Sequence, residues 1–241
     1  TTVIEPTPTR DHTERMLRGF GVSVTSEASN EGLAITLTGQ PELRATPVMV
    51  PGDPSSAAFL AVAGTIVPGS ALTITNVMQN EHRTGLFQSL VDMGGDLALV
   101  NQREVAGETV ADVRVQSSSL KGCLIPADRA PSQIDEYPIL SVAAAVASGT
   151  TRMEGLEELR VKESDRLALM CSQLSKLGVD VEETHDGAVI RGGQLRGGVI
   201  DCDGDHRIAM TFAVLGLVAE DPIIIRDAHW MQTSYPGFVD D

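Results

Sequence analysis

A repeated pair of helix patterns constrains this sequence more than any other feature. The first pattern begins near an arginine and ends at a glycine, and it occurs over residues 10–22, 83–95 and 164–179. Apolar residues recur at helical spacing within it. Each glycine stands where a helix C-cap belongs. The pattern therefore predicts three helices that each end in a glycine turn.

The second pattern begins at an aspartate and continues in small apolar residues, at Asp53, Asp135 and Asp205. Aspartate is a good N-cap, and Pro54 suits a first helical turn. Residues 140–147 are nearly apolar all round, which predicts a buried helix. The aspartates lie about 70 to 80 residues apart, a period typical of a supersecondary unit.

Segments that alternate as strands do lie between these helices. They are residues 71–75, 111–115, 188–190 and 222–225. The predicted unit is strand, buried helix, strand, arginine-led helix and strand pair.

About two and a half units follow residue 50, whereas residues 1–49 hold only the second half of one. We place a boundary near residues 46–51, where two prolines bracket a short predicted strand. The pattern predicts an α/β protein, which the aliphatic, aromatic-poor composition also favours.

The formal net charge of −15 argues against nucleic acid and anionic membrane surfaces as partners. Anionic substrates would then need cations clustered at one place. Only three of the 18 cationic residues are lysines, namely Lys121, Lys162 and Lys176. The rest are arginines, whose planar fork suits carboxylates and phosphates, although most single arginines are expected on the solvated surface.

The three cysteines, Cys123, Cys171 and Cys202, form neither a disulfide framework nor metal-ligand spacing. This pattern predicts reduced thiols in a cytoplasmic protein. No apolar run is long enough to span a bilayer. The chain begins in a strand-like segment without methionine, and we expect it to be a fragment of a longer protein.

Five charged residues fall within residues 160–166, just ahead of a predicted helix. Glu163 and Asp165 fit the favourable N-terminal positions of a helix. Arg160, Lys162 and Arg166 beside free N–H groups instead favour an anion site. An acid among these cations can donate or accept a proton. A structural ion-pair network is the alternative reading of the same pattern.

Charged residues also stand at the predicted starts of two apolar helices. Asp205 is expected to be an N-cap, His206 a hydrogen-bonded structural histidine, and Arg207 an anion contact. Asp135 is predicted to be at least a cap. Burial would raise its pKa and a neighbouring cation would lower it, and a carboxylate between those influences can act as a base.

Several motifs resemble, in order, those of the 5-enolpyruvylshikimate-3-phosphate synthase family, and most closely its class II bacterial type. They lie at residues 10–14, 52–58, 80–86, 134–138, 160–166 and 204–210. The resemblance covers the whole chain and corresponds to the C-terminal half of the family.

The resemblance implies repeated βαβαββ units in a two-lobed, inside-out α/β barrel of the enolpyruvyl transferase type. Residues 1–49 would form the C-terminal part of the last unit of the first-completed lobe. Residues 50–241 would form most of the second lobe, which binds phosphoenolpyruvate.

The resemblance also implies roles for two acids. Asp135 matches the aspartate that contacts shikimate 3-phosphate and is assigned as proton acceptor. Glu163 matches the acid implicated in proton transfer to phosphoenolpyruvate.

Four cations match family substrate contacts. Lys162 resembles a shikimate 3-phosphate contact, and Arg10 resembles the class II arginine near the shikimate phosphate. Arg166 and Arg207 resemble the arginines that grip phosphoenolpyruvate. In one departure, Thr233 stands where many members carry a lysine, which removes one expected phosphoenolpyruvate contact.

The implied activity transfers the enolpyruvyl group of phosphoenolpyruvate to the 5-hydroxyl of shikimate 3-phosphate and releases phosphate, in aromatic amino-acid biosynthesis. It requires no metal or organic cofactor. The expected partners are these two substrates and the N-terminal half of the same enzyme, which carries further substrate-binding residues of the family.

Two alternatives stay open. The isolated chain would be a non-catalytic binding or assembly lobe if the other half supplies essential residues. A UDP-N-acetylglucosamine enolpyruvyl transferase shares the implied fold, but that family generally uses a cysteine in its own loop context, and none of the cysteines here lies in one.

Overall fold

A computed structural model describes residues 1–105 and 107–241 and has a mixed α/β architecture. The α-helices are α1 (His12–Gly19), α2 (Pro54–Ile66), α3 (Gly85–Asp92), α4 (Ala130–Gln133), α5 (Tyr137–Val146), α6 (Arg166–Lys176) and α7 (His206–Gly216). The strands are β1 (Thr2–Glu5), β2 (Val24–Ser29), β3 (Gly32–Leu37), β4 (Ala71–Met78), β5 (Asp96–Val105), β6 (Glu108–Gln116), β7 (Leu124–Ile125), β8 (Thr150–Glu154), β9 (Asp180–Glu183), β10 (Gly187–Arg191), β11 (Gly198–Ile200) and β12 (Ile223–Ile225).

The sheet orders confirm the predicted repeat. The strand orders β4-β6-β5 and β7-β8-β10-β9 place the last two strands of each unit as an antiparallel hairpin beside the second strand. The first two strands of a unit are parallel, as in β7–β8 and β11–β12, and an isolated parallel bridge between Gly52 and Val77 repeats this at the start of the first unit. The order β1-β3-β2 contains only the later strands of a unit.

The arginine-led helices α1, α3 and α6 end as predicted. The backbone turns into the left-handed region at Gly21, Gly94 and Gly178, with φ between 86° and 91°. Glycine has no Cβ to oppose this conformation. The chain can therefore leave each helix sharply and enter the following strand.

The aspartate-led helices form the interior. Helices α2, α5 and α7 contact one another, and nine residues of α5 are buried. Because these helices are apolar on nearly every side, they pack against each other as well as against the sheets. Their first residues consequently lie close together at one end of the core.

Two predictions about local structure are wrong. Asp53 and Asp205 cap α2 and α7 through their side chains, but Asp135 does not cap α5. It lies in a 3-10 helix, Ile134–Glu136, and its carboxylate contacts cations instead. The segment between Pro47 and Pro51 is not a strand, and its apolar residues Val48, Met49 and Val50 are all exposed, so no face of it is buried against a sheet.

Candidate active site

Asp135 is the centre of a cluster of cations that come from three separate segments. Its Oδ2 accepts a hydrogen bond of 2.6 Å from Arg10 Nη2. Its Oδ1 lies 3.2 Å from Arg166 Nη1 and 3.7 Å from Lys162 Nζ. The 3-10 helix Ile134–Glu136 holds the carboxylate at the entrance of the core, where these side chains reach it.

The cations decide the charge state of Asp135. Burial alone would raise its pKa, but the charge of Arg207, the hydrogen bond from Arg10 and the charge of Lys162 outweigh that effect. Together they lower the pKa of Asp135 to about 2. Asp135 is therefore ionised at neutral pH and available to accept a proton.

Arg166 is the first residue of α6, and its side chain is only 1% exposed. Its Nε donates to Asp205 Oδ2 at 2.7 Å, and its Nη2 lies 2.5 Å from Glu163 Oε2. The Nη2 contact is an ion pair with the exposed carboxylate of Glu163. The buried guanidinium is therefore compensated by three carboxylates, those of Asp135, Glu163 and Asp205.

Arg207 approaches Asp135 from the start of α7. Its Nη1 lies 3.4 Å from the main-chain oxygen of Asp135 and 3.7 Å from Glu136 Oε1. Asp205 holds this helix end by accepting bonds from the main-chain nitrogens of Arg207 and Ile208. Arg207 consequently stands at the N-terminal end of α7, where the helix dipole favours anions.

Glu163 and Lys162 lie at the rim of the site. Glu163 is 55% exposed and reaches Arg166, while Lys162 Nζ lies 2.6 Å from Glu158 Oε1. A cavity of about 660 Å³ is lined by Lys162, together with Arg10 and Thr9. Lys162 thus faces a space in which a ligand fits, and Glu163 lies beside it in sequence without lining that space.

Two sequence interpretations need correction. Arg160 does not join the anion site, because it pairs with Asp165 and Glu183 and donates to main-chain oxygens of residues 184 and 185. The side chain of His206 makes no hydrogen bond within residues 1–105 and 107–241. The prediction that His206 is a hydrogen-bonded structural histidine is therefore wrong. Burial and the charge of Arg207 lower the pKa of His206, which leaves it neutral near pH 7.

The site contains nearly equal numbers of opposite charges. Four cations (Arg10, Lys162, Arg166 and Arg207) face five carboxylates (Asp135, Glu136, Glu158, Glu163 and Asp205). The arrangement provides donors for anions and acids for proton transfer. Within the described part of the chain, no group of three or more potential ligands is placed to hold a metal ion.

Sequence reasoning missed the groups behind the site. Glu136 is buried and accepts a hydrogen bond from Ser55. Arg83 donates to Ser55 Oγ at 3.0 Å and to Asp53 Oδ1 at 2.8 Å. A charged residue at the start of an apolar helix is the signal in the sequence that would have pointed to Glu136.

The helix starts that converge on one cluster of cations around Asp135, together with repeated βαβαββ units, define an α/β protein with the enolpyruvyl transferase fold. The enolpyruvyl transferase NikO from Streptomyces tendae superimposes on the whole chain with a TM-score of 0.73 at 18% identity, which shows the fold alone. An EPSP synthase from Acinetobacter baumannii superimposes on the whole chain with a TM-score of 0.94 at 43% identity.

Sequence comparison places the chain more closely. The family model described as EPSP synthase (3-phosphoshikimate 1-carboxyvinyltransferase) matches residues 1–241, and the chain belongs to this family. Its relatives named 3-phosphoshikimate 1-carboxyvinyltransferase include those of Parvibaculum lavamentivorans (54% identity over 99% of the chain) and Methylobacterium sp. strain 4-46 (54% over 100%).

The chain covers 54% and 55% of these two curated relatives. It covers 55% of the Acinetobacter baumannii chain. The α/β class and the repeated unit are confirmed, whereas the two-lobed barrel describes an architecture about twice the size of this chain.

Proposed function

We propose that this chain provides one part of the active site of an enolpyruvyl transferase that joins phosphoenolpyruvate to shikimate 3-phosphate and releases phosphate. The observation that carries the proposal is the position of Asp135, surrounded by Arg10, Lys162, Arg166 and Arg207, with Glu163 at the rim. Two phosphorylated, multiply charged substrates require such a cluster of cations.

In the addition step, the 5-hydroxyl oxygen bonds to C2 of phosphoenolpyruvate. Asp135 takes the hydroxyl proton while Glu163, in its protonated form, gives a proton to C3. In the elimination step C3 returns a proton to Glu163, the C2–C3 double bond forms again, and the C2–O bond to phosphate breaks, so that phosphate leaves. Asp135 lies in the 3-10 helix Ile134–Glu136 and Glu163 in the bend before α6, so the proposed base and acid approach from different segments.

The pKa of Asp135 is low in this structure partly because its carboxylate contacts Arg10 and Lys162 directly. We infer that a substrate phosphate takes over part of these two cations. The pKa of Asp135 then rises towards the range in which a carboxylate is an effective general base. Substrate binding and activation of the base are coupled in this way.

We also propose roles for the two regions. Residues 1–49 complete a unit of one lobe and bring Arg10 to the site, and residues 50–241 form most of the other lobe. The cytoplasmic location expected from the unpaired cysteines is part of the same proposal. None of the helices in the described ranges is both long and apolar enough to cross a membrane.

The charge balance favours a second reading of the isolated chain. Because five carboxylates already surround the four cations, the chain alone should bind dianions weakly. The chain would then be a non-catalytic lobe that requires cations from another polypeptide. No observation in the structure favours a UDP-N-acetylglucosamine substrate, and the relatives named above carry the shikimate name.

A chimaera tests the proposal. Residues 1–241 replace the matching region of the Parvibaculum lavamentivorans relative, and phosphate release is measured with both substrates, with each alone and with the isolated chain. We expect release only from the chimaera with both substrates present. A folded chimaera without activity contradicts the proposed function, and an isolated chain that turns over both substrates contradicts the half-site reading.

A further inference from the structure

Glu136 is a buried carboxylate that the reaction above does not use. It follows Asp135 directly, and the residue is only 3% exposed. Its Oε1 accepts a hydrogen bond from Ser55 Oγ, and the same oxygen lies 3.7 Å from Arg207 Nη1. A buried carboxylate is costly unless cations and donors compensate it, so these contacts need a physical explanation.

The contacts continue behind Glu136. Arg83 Nη2 donates to Ser55 Oγ at 3.0 Å and to Asp53 Oδ1 at 2.8 Å. Asp53 also caps α2 by accepting from the main-chain nitrogens of Ser55 and Ser56. The carboxylate of Glu136 is therefore anchored to the start of a rigid, buried helix.

Arg207 has few other constraints. Within the described residues, the side chain of Arg207 forms one hydrogen bond, the long contact with the Asp135 main-chain oxygen. Glu136 supplies its only ion-pair contact there. A long, flexible side chain loses rotamer entropy when a ligand fixes it, and a charge that fixes it beforehand reduces that cost.

Burial raises the pKa of Glu136, whereas the Ser55 hydrogen bond and the charge of Arg207 oppose that rise. The neighbouring Asp135 has a lowered pKa. The two adjacent acids thus differ in environment, one paired with Arg10 and Lys162 and one buried in the interior. This difference separates a reacting carboxylate from a supporting one.

We propose that Glu136 is a positioning residue that holds the Arg207 guanidinium in the anion site, with Ser55 and Arg83 fixing the carboxylate from behind. The ligand of Arg207 is taken from the proposed function, but the positioning itself is a property of this chain alone. Supporting residues of this kind keep a binding group within the small range of positions that a ligand needs.

The chimaera provides the kinetic test. Glu136→Gln keeps an acceptor for Ser55 but removes the charge, and we expect the KM for phosphoenolpyruvate to rise about tenfold with kcat within about threefold. Ser55→Ala should act in the same direction with a smaller effect. Glu182→Gln, an exposed acid on β9, is the matched control and should leave both constants unchanged.

A double-mutant cycle separates positioning from general destabilisation. If Glu136 acts through Arg207, Glu136→Gln should change KM little in an Arg207→Lys background, because contacting residues give non-additive effects. Additive effects, or a normal KM in the folded single variant, would overturn the proposal. Thermal unfolding of each variant verifies that the comparison is made between folded proteins.

A second measurement needs no activity. In the 241-residue chain, the Arg207 Nε–Hε resonance, assigned by its loss in Arg207→Lys, should show restricted motion in the heteronuclear NOE. Restricted motion should be lost in Glu136→Gln and retained in Glu182→Gln. Equal order in all three proteins would refute the positioning role, whether or not the chimaera is active.

Discussion

Residues 1–49 and residues 50–241 use the same unit in different ways. In residues 50–241 the aspartate-led helices α2, α5 and α7 fill the interior. In residues 1–49 only Val22 and Val24 are buried, and α1 contributes no buried residue. The shorter region contains three strands and the arginine-led helix of a unit, but no buried helix.

This difference shows which part of the unit supplies stability. The arginine-led helix and its hairpin form in both regions, because caps and glycine turns act locally. Extensive burial of apolar surface occurs only in residues 50–241, the region that contains the aspartate-led helices. The side chains of Val3 and Ile4 on β1 are both exposed, and because successive strand residues alternate, each face of this edge strand carries an exposed apolar residue.

Polar contacts join the two regions. His12 Nδ1 lies 2.8 Å from Glu108 Oε1, and Asn80 Nδ2 donates to Asp11 Oδ1 at 2.6 Å. Arg10 reaches Asp135 in the same way, although its side chain is 44% exposed. Residues 1–49 are thus held to the rest by hydrogen bonds and charge more than by a shared core.

Loss of the central acid should have the largest effect on activity. In the chimaera, Asp135→Asn and Glu163→Gln keep shape but remove proton transfer, so turnover should fall by about 100- to 10,000-fold. Initial-rate kinetics with both substrates measure it. Normal turnover in either folded variant would remove that residue from the chemistry.

Substitution of an apolar residue should cost more stability in residues 50–241 than in residues 1–49. Leu140→Ala in α5, where the side chain is fully buried, should lower the free energy of unfolding of the isolated chain by about 2 to 5 kcal/mol. Ile4→Ala, on the exposed strand β1, should change it by less than about 0.5 kcal/mol. Urea unfolding measures both, and equal losses would show that the two regions share one core.

We expect the arginines of the two regions to affect different substrates. Arg207→Ala removes a charge-assisted contact of about 1.5 to 3 kcal/mol and should weaken phosphoenolpyruvate use by about ten- to a hundred-fold. Arg10→Ala should act mainly on the KM for shikimate 3-phosphate. Arg166→Ala is less informative, because it also leaves the buried Asp205 without its partner. Kinetics that show the same substrate affected by both variants would contradict the division.

The smallest expected effect is on the pH dependence of stability. The folded-state pKa of Asp135 is about 2, below its ordinary 3.8. Its ionised form therefore stabilises the fold above about pH 4, and roughly 2 kcal/mol is lost as the pH falls towards 2. Arg10→Ala should make this loss smaller, because it raises that pKa. Unfolding curves between pH 5 and pH 2 test this, with Asp240→Asn as control, and identical curves for Arg10→Ala would contradict it.

The candidate site was predicted in part. Asp135, Glu163, Arg10, Lys162, Arg166 and Arg207 were named from motifs, and the structure brings them together. Their roles in the reaction remain predictions. Arg160 lies in the same motif but points away, because Glu183 on the neighbouring strand β9 supplies a closer partner. Glu136 was overlooked because nothing in its local sequence shows which helix covers it.

Local sequence alone determined the repeat, the aspartate caps of α2 and α7, and the glycine ends of α1, α3 and α6. Each of these depends on hydrogen bonds and backbone preferences within one helical turn. The tertiary structure decided that Asp135 meets cations instead of capping its helix, and that Arg10 reaches it across 125 residues of sequence. Those positions depend on how the buried helices stack, since apolar packing has no direction of its own and brings distant helix starts together only when the whole core is formed.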